Sequence, residues 1–271
     1  RCSRKSEKPT TYKLMKIVII GAGNLAWHIA PKLKKLGHEI IGVYSRTKKS
    51  ADLLSKRIGS DSFSDIERIP ENADLYIVAL HDKAIASIVR QLKFIPKFIA
   101  HTSGATPLSA FPVKFKNVGV FYPLQSFSKN RTVKFDSVPF LIESKNTKTK
   151  KVLSDLARQF SNNVHFVSSE KRKRVHLAAV FANNFVNHMY SLSAEILQEN
   201  QLSFDLLKPL IFETAAKIKE NHPDKMQTGP ARRNDQPVIK EHLKLLRGKK
   251  QRKDIYTLLN QSILDKFKVR N

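Results

Sequence analysis

An α/β domain with a parallel sheet, followed by an all-helical domain, is what this sequence predicts, and three observations predict it. A β-branched run, Lys16 to Ile20, leads directly into Gly21-Ala22-Gly23-Asn24-Leu25-Ala26, and an amphipathic helical pattern follows. Strand and helix patterns then alternate over the first two thirds of the chain, which implies parallel strands covered by helices. After Ser168 the alternation stops, and long helical patterns with alanines and few β-branched positions take over.

In chain order, the patterning predicts a strand over 16–20, a helix over 24–36 ended by Gly37, and a strand over 39–44. A helix follows over 47–58 with Thr47 as its cap, then a buried strand over 74–80 and a helix over 82–92. Further strands are expected over 98–102, 118–121 and 138–143, a helix over 148–160, and a last strand over 164–167. The remaining patterns predict one long helix over 170–200 and shorter ones around 203–220, 235–247 and 253–267. The domain reading is therefore a basic extension over 1–14, a sheet domain over 15–168 and a helical domain over 169–271.

The glycine-rich turn has the spacing G-x-G-x-x-A, and its place between a strand and a helix is the context a dinucleotide needs. Gly21 permits the tight turn, and Gly23 lets the backbone approach a pyrophosphate. Ala26 keeps helix and strand close, while Asn24 and Leu25 open the helix. The free N–H groups there and the positive end of the helix dipole favour phosphate. This is the Rossmann-type arrangement. The second strand ends in Tyr44-Ser45-Arg46-Thr47 without the carboxylate that would accept a ribose 2′-OH. An Arg with neighbouring hydroxyls suits a 2′-phosphate instead, so the expected cofactor is NADP. His81 and Thr102, at the ends of later strands, complete the expected cofactor-binding set.

Composition bounds the rest. With 41% hydrophobic residues the 271-residue chain is globular, and no apolar run approaches the roughly 18 residues of a membrane span. The single cysteine, Cys2, excludes an internal disulfide framework and fits a reducing, cytoplasmic setting. Residues 1–14 lack the apolar core of a cleaved signal, and Met15 could be a natural start. The formal net charge is +26, from 49 Lys+Arg against 23 Asp+Glu. Those cations are scattered, and runs such as Lys171-Arg172-Lys173-Arg174 read as solvated faces. No recognition-helix pattern, RNP-like strand or zinc spacing is present, so specific nucleic-acid binding is not expected. The nine histidines form no H-x-x-x-H or H-E-x-x-H pair, and no G-x-S-x-G elbow occurs. Metal is not expected, and hydride chemistry belongs to the cofactor.

Four polar clusters are candidates for the chemistry. His101-Thr102-Ser103-Gly104 ends a strand that should face the nicotinamide. Tyr122 and Gln125 lie in Phe121-Tyr122-Pro123-Leu124-Gln125-Ser126. On the long helix, His176, Asn183 and Asn187 are spaced by seven and four residues, one face of an α-helix. Asparagines in an apolar helix imply either a polar wall for a substrate or a polar network at a helix–helix or dimer contact. Finally, Gln227-Thr228-Gly229-Pro230-Ala231-Arg232-Arg233 offers an Arg pair that could clamp a carboxylate or lie solvated. The catalytic candidates are His176, as general acid, with Asn183, Asn187 and Ser103. Tyr122, Gln125, Gln227 and Arg232 are candidates for binding substrate.

Taken together, the segments GAGNLAWHIAPKLKKLGHEI, VYSRT, HTSGATPL, FYPLQSF, VSSEKRKRVHLAAVFANNFVNHMY and QTGPARRND resemble a known family from Met15 onward. It is the family of Rossmann-like NADP oxidoreductases with a C-terminal domain of unknown function. That family is similar to pyrroline-5-carboxylate reductase, the deazaflavin-dependent NADP reductases and 6-phosphogluconate dehydrogenase. The resemblance implies a helical domain that forms a homodimer and completes the active site, and it points to 2-oxo acids of the ketopantoate kind. Two departures limit it: Tyr122 stands where related dehydrogenases carry His before Pro. The lysine that 6-phosphogluconate-type enzymes place four residues before an asparagine is Ala179 or Asn183 here.

The function expected is NADPH-dependent reduction of a small, polar, carboxylate-bearing carbonyl substrate. The alternatives are an imine reductase of the pyrroline-carboxylate kind and a non-catalytic NADP(H)-binding dimeric regulator.

Overall fold

The computed structural model describes residues 12–267, so Cys2 and most of the N-terminal extension lie outside the described residues. The chain divides into two compact units between Asn183 and Asn184.

The first unit is built on one sheet. Its elements are β1 (Lys16–Ile20), α1 (Asn24–Lys35), β2 (Glu39–Tyr44), α2 (Lys48–Ile58), β3 (Ser62–Phe63) and β4 (Leu75–Val78). They continue with α3 (Asp82–Gln91), β5 (Ile99–His101), β6 (Val118–Pro123), β7 (Phe140–Ser144), α4 (Thr147–Phe160), β8 (Val164–Phe166) and α5 (Ser169–Ala179). The eight strands lie in the order β3-β2-β1-β4-β5-β6-β7-β8. The sheet is covered on both faces, which is why β1 reads as an unbroken apolar run. Ile17 and Ile19 pack into the core shared with α1, α2 and α4, while Val18 and Ile20 pack into the core with α3.

Most pairings are parallel, as expected, but β7 runs antiparallel to β6, with Tyr122 opposite Leu141. No helix lies between these two strands to carry the chain back across the sheet, so the strand returns in the reverse direction. Thr47 precedes α2 in extended conformation, yet its side chain makes no capping bond. Inside α1, Pro31 has no N–H for the Trp27 carbonyl four residues back; Arg57 donates to that carbonyl at 3.0 Å and stacks over the Trp27 ring at 4.3 Å.

The long helix predicted over 170–200 is interrupted. A π-helical turn, Val180–Phe185, follows α5 and precedes α6 (Val186–Glu199). The second unit continues with α7 (Lys208–Glu220), α8 (Pro223–Met226), α9 (Pro230–Arg233), α10 (Gln236–Leu245) and α11 (Lys250–Phe267). Within it, Arg252 bonds Glu195 at 2.7 Å and Glu199, tying the start of α11 to the end of α6. Among its described residues only Ala231 and Ile239 are buried. No helix among the described residues is long and apolar enough to cross a membrane.

Candidate active site

β1, β4, β5 and β6 are parallel neighbours, so their C-terminal ends share one edge of the sheet, where ligands of such sheets bind. The glycine turn occupies that edge. Gly21 has φ +121°, and its N–H donates to the Tyr44 carbonyl at 2.7 Å. A Cβ at Gly21 would stand 2.2 Å from the Ala79 carbonyl oxygen, so a side chain is excluded twice, by backbone angle and by space. Gly23 differs: its φ is −78°, and a Cβ there would meet nothing within 4 Å. Its need for glycine is thus not internal to the chain.

The start of α1 fits a phosphate. Its first turn has no acidic residue, and no side chain caps it. Gly23 and Asn24 are exposed, Leu25 is half-buried and Ala26 is buried against the core. At the end of β2, Arg46 is exposed beside half-buried Ser45, whose hydroxyl accepts from the Thr47 N–H at 3.4 Å. Lys48 is tied to Asp52 and to Ser62 (3.1 Å). The Arg46 guanidinium makes no hydrogen bond or ion pair among the described residues. His81 is exposed at the N-cap of α3, and the Thr102 hydroxyl donates to the Val78 carbonyl at 3.2 Å. These residues fit a dinucleotide with an additional 2′-phosphate: open glycine backbone, an uncapped helix N-terminus and an unpaired Arg.

Beside this edge the structure brings together Ser103, Gly104, Tyr122 and His176. The Tyr122 hydroxyl lies 3.2 Å from His176 Nδ1, with the rings edge-on at 6.1 Å. Gly104 closes against both: a Cβ there would come within 2.7 Å of His176 Nδ1 and 2.9 Å of Tyr122 Cζ. Burial pushes the Tyr122 phenol up in pKa, Asp82 adds to this, and the Arg172 guanidinium opposes it. Tyr122 thus keeps its proton at neutral pH.

Neighbouring groups have structural engagements. Buried Ser103 Oγ accepts the N–H groups of Ala105 (3.1 Å) and Thr106 (2.8 Å), shaping the loop. His101 is fully buried and stacks on Phe111 at 5.5 Å; its Nδ1 accepts from the Ser103 N–H at 3.2 Å. Burial above all, with the Arg172 charge, holds His101 down at about 3. His101 is a neutral loop anchor. Gln125 is exposed, and its side-chain oxygen accepts from the Ser126 N–H at 2.9 Å.

The remaining sequence candidates are Asn183, Asn187, Gln227, Arg232 and Arg233. Asn183 closes the first unit, and Asn187 lies in the second; both are exposed, so no buried-amide requirement acts on them. The single face inferred for His176, Asn183 and Asn187 presumed an unbroken α-helix. The π turn after Ala179 widens the helix, and residues seven apart across it lose their common face. In the second unit, Gln227 donates to the Thr228 carbonyl at 2.9 Å. Arg232 stacks on Phe267 at 4.7 Å and donates to its carbonyl at 3.5 Å, so its guanidinium serves α11. Arg233 is exposed, and its guanidinium has no hydrogen bond or ion pair among the described residues. No group of three or more His, Cys, Asp or Glu that could hold a metal occurs among the described residues.

Sequence reasoning missed Arg172 and Glu143. Arg172 is completely buried, ion-paired to Glu143, and bonded to the Thr106 carbonyl. Its place within a run of four basic residues hid it, and it is the one buried residue of α5.

Residues 16–99 match the family described as NADP oxidoreductase, coenzyme F420-dependent. Residues 138–263 match the domain of unknown function DUF2520. Among solved structures, a Bacteroides fragilis protein assigned as an NADP oxidoreductase is 42% identical, with 93% of this chain and 98% of that chain covered and a TM-score of 0.88. A Thermotoga maritima protein is 24% identical over 93% of this chain and 98% of that one, with a TM-score of 0.69. A pyrroline-5-carboxylate reductase from Coxiella burnetii shares the fold at 15% identity, over 94% of this chain and 98% of that one, with a TM-score of 0.56. No curated protein matches the chain. The chain belongs to the family of NADP oxidoreductases in which a Rossmann-type nucleotide-binding sheet is followed by this helical domain of unknown function.

Proposed function

We propose that this NADP-dependent enzyme reduces a small, polar substrate that carries a carboxylate and a carbonyl, a 2-oxo acid of the ketopantoate kind. The observation that carries the reading is the Tyr122–His176 pair, held by Gly104 at the same sheet edge as the open glycine turn. When bound, NADPH supplies the hydride. The protein's part is to hold the cofactor and to deliver a proton. Gly21, Gly23, Asn24, Leu25 and Ala26 hold the pyrophosphate, Ser45 and Arg46 the 2′-phosphate, and His81 and Thr102 flank the remainder.

His176 is the proton donor in this reading. The Tyr122 hydroxyl has no other partner among the described residues, so its proton is directed to His176 Nδ1. As Nε2 gives its proton to the developing alkoxide, Nδ1 takes up the Tyr122 hydroxyl proton, so the imidazole stays neutral and solvent reprotonates the phenolate. Ser103 is proposed to orient the substrate around this donor, and Tyr122 and Gln125 to bind it; for Asn183, Asn187, Gln227 and Arg232 the proposed substrate role rests on the sequence pattern alone.

The domain roles follow: residues 15–168 bind the nucleotide, and 169–271 serve substrate binding and homodimer formation. Leu210, Phe212 and Leu258 are 62%, 71% and 70% exposed in a unit with two buried residues among those described, which supports cover by a second copy. A cytoplasmic setting is proposed from the single cysteine.

The test is NADPH oxidation by the full chain over a panel of 2-oxo acids, ketopantoate included, and cyclic imines, with NADH in parallel. Turnover confined to a 2-oxo acid supports the reading. Turnover confined to pyrroline-5-carboxylate replaces it with imine reduction, favoured by the shared fold of the reductase of that name. NADPH binding without any turnover would favour a non-catalytic regulator.

A further inference from the structure

Of the four basic residues Lys171, Arg172, Lys173 and Arg174, three are exposed and one is wholly buried. The Arg172 guanidinium, in the first turn of α5, is ion-paired to Glu143 at the end of β7. It also donates to the Thr106 carbonyl and, at 3.3 Å, to Ser169 Oγ. Glu143 in turn accepts the Ser169 N–H at 2.8 Å and the Ser169 hydroxyl at 3.0 and 2.8 Å. The Leu108 N–H reaches Ser169 Oγ at 3.3 Å. The start of α5 is therefore bonded both to the sheet and to the loop that follows β5.

Burying a guanidinium is costly even when it is paired, and apolar residues of the same size often hold a helix as well or better. The neighbouring α4 needs no such pair; an Asn146 cap and apolar packing suffice. What a planar, forked donor adds is direction, because its bonds to a carboxylate and a carbonyl set angle as well as distance. The loop it grips contains Gly104, and one helical turn beyond Arg172 lies His176. Helix and loop together clamp the His176 ring, with Tyr122 at 3.2 Å on one nitrogen.

We propose that Arg172, held by Glu143, is a positioning residue: it locks α5 to the loop over 103–108 and so fixes the orientation and tautomer of the His176 ring. The inference rests on the reading of His176 as proton donor.

The experiment is histidine-labelled NMR of the full chain without cofactor, reading the imidazole nitrogens, with the His176 signals identified by their loss in His176→Gln. Wild type is expected to show one tautomer at His176, protonated at Nε2. Arg172→Lys and Glu143→Gln are expected to give a mixture there, while the signals of His38 and His242, which contact none of these groups, stay in place as folding controls. If either charge variant loses the control signals, Ser169→Ala, which deletes only the linking hydroxyl, supplies the same readout. An unchanged His176 tautomer in the folded variants overturns the proposal.

NADPH oxidation separates the two ideas. Turnover of Arg172→Lys is expected to fall about tenfold with NADPH affinity within about twofold, since misplacing a catalytic group affects the reaction more than cofactor binding. Wild-type turnover in His176→Gln defeats the proton-donor reading itself. Impaired His176→Gln with unaltered spectra in Arg172→Lys defeats the positioning role alone.

Discussion

The Tyr122 hydroxyl and His176 Nδ1 lie 3.2 Å apart, a bond that joins the end of a sheet strand to the helix α5. If this pair delivers the proton, His176→Gln lowers kcat about a hundredfold, the usual loss when a general acid is removed. Tyr122→Phe, which leaves the imidazole in place but frees its tautomer, costs about tenfold. Fluorescence titration with NADPH should show unchanged affinity for both, and steady-state assays measure kcat.

Gly104→Ala tests the clamp from the other side. The added methyl would sit 2.7 Å from His176 Nδ1, and either the ring or the loop must move. Overpacking of this kind costs about 1–3 kcal/mol of stability. Turnover should fall at least about tenfold while NADPH affinity holds, because a displaced donor loses its alignment.

The two glycines of the turn should respond differently. Gly21→Ala meets the Ala79 carbonyl at 2.2 Å and a φ of +121°, so both thermal stability and NADPH binding should drop. Gly23→Ala meets nothing within 4 Å at φ −78° and should keep the wild-type melting temperature. Its NADPH affinity alone should fall, because the methyl occupies the space the pyrophosphate needs. Equal melting temperatures for the two variants would contradict this account.

Arg46→Ala should weaken NADPH binding about tenfold or more and leave NADH binding nearly unchanged, since a bidentate Arg–phosphate contact is lost only in the first case. The ratio of the two dissociation constants is the measurement.

His101 predicts a pH dependence of stability. Its folded pKa of about 3 lies below the ordinary value of 6.5, so between these values the unfolded chain binds the extra proton. The contribution is fully present above about pH 6.5 and is lost as pH falls toward 3, a change on the order of a few kcal/mol. His101→Gln should flatten the fall in melting temperature between pH 7 and pH 4, which calorimetry can follow.

The alternating patterns along 16–166 placed nearly every strand and helix of the sheet unit, because apolar periodicity is a local property written directly in the residues. The direction of β7 was not local. It depends on what fills the connection after Pro123, and no periodicity reports an absent helix. The two-residue β3 pairs only with β2 at Val43–Tyr44, too short to leave a pattern of its own.

The asparagine helix shows the same limit at the site. The spacing of His176, Asn183 and Asn187 is a real feature of the chain, but it maps to one face only if every turn is α-helical. A π turn is decided by packing around it, so the face could not be read from the spacing. Arg232 and Arg233 look alike in the chain, and only the contact with Phe267 distinguishes them.

By itself, then, the sequence determined the α/β unit, the glycine turn and the helical character of the C-terminal part. Those follow from side-chain periodicity and from backbone angles that only glycine adopts readily. The tertiary structure decided which polar residues meet. It joined Tyr122 to His176 across Gly104 and took Arg172 out of a basic run to bury it against Glu143, because contacts between distant segments depend on the packing of the sheet.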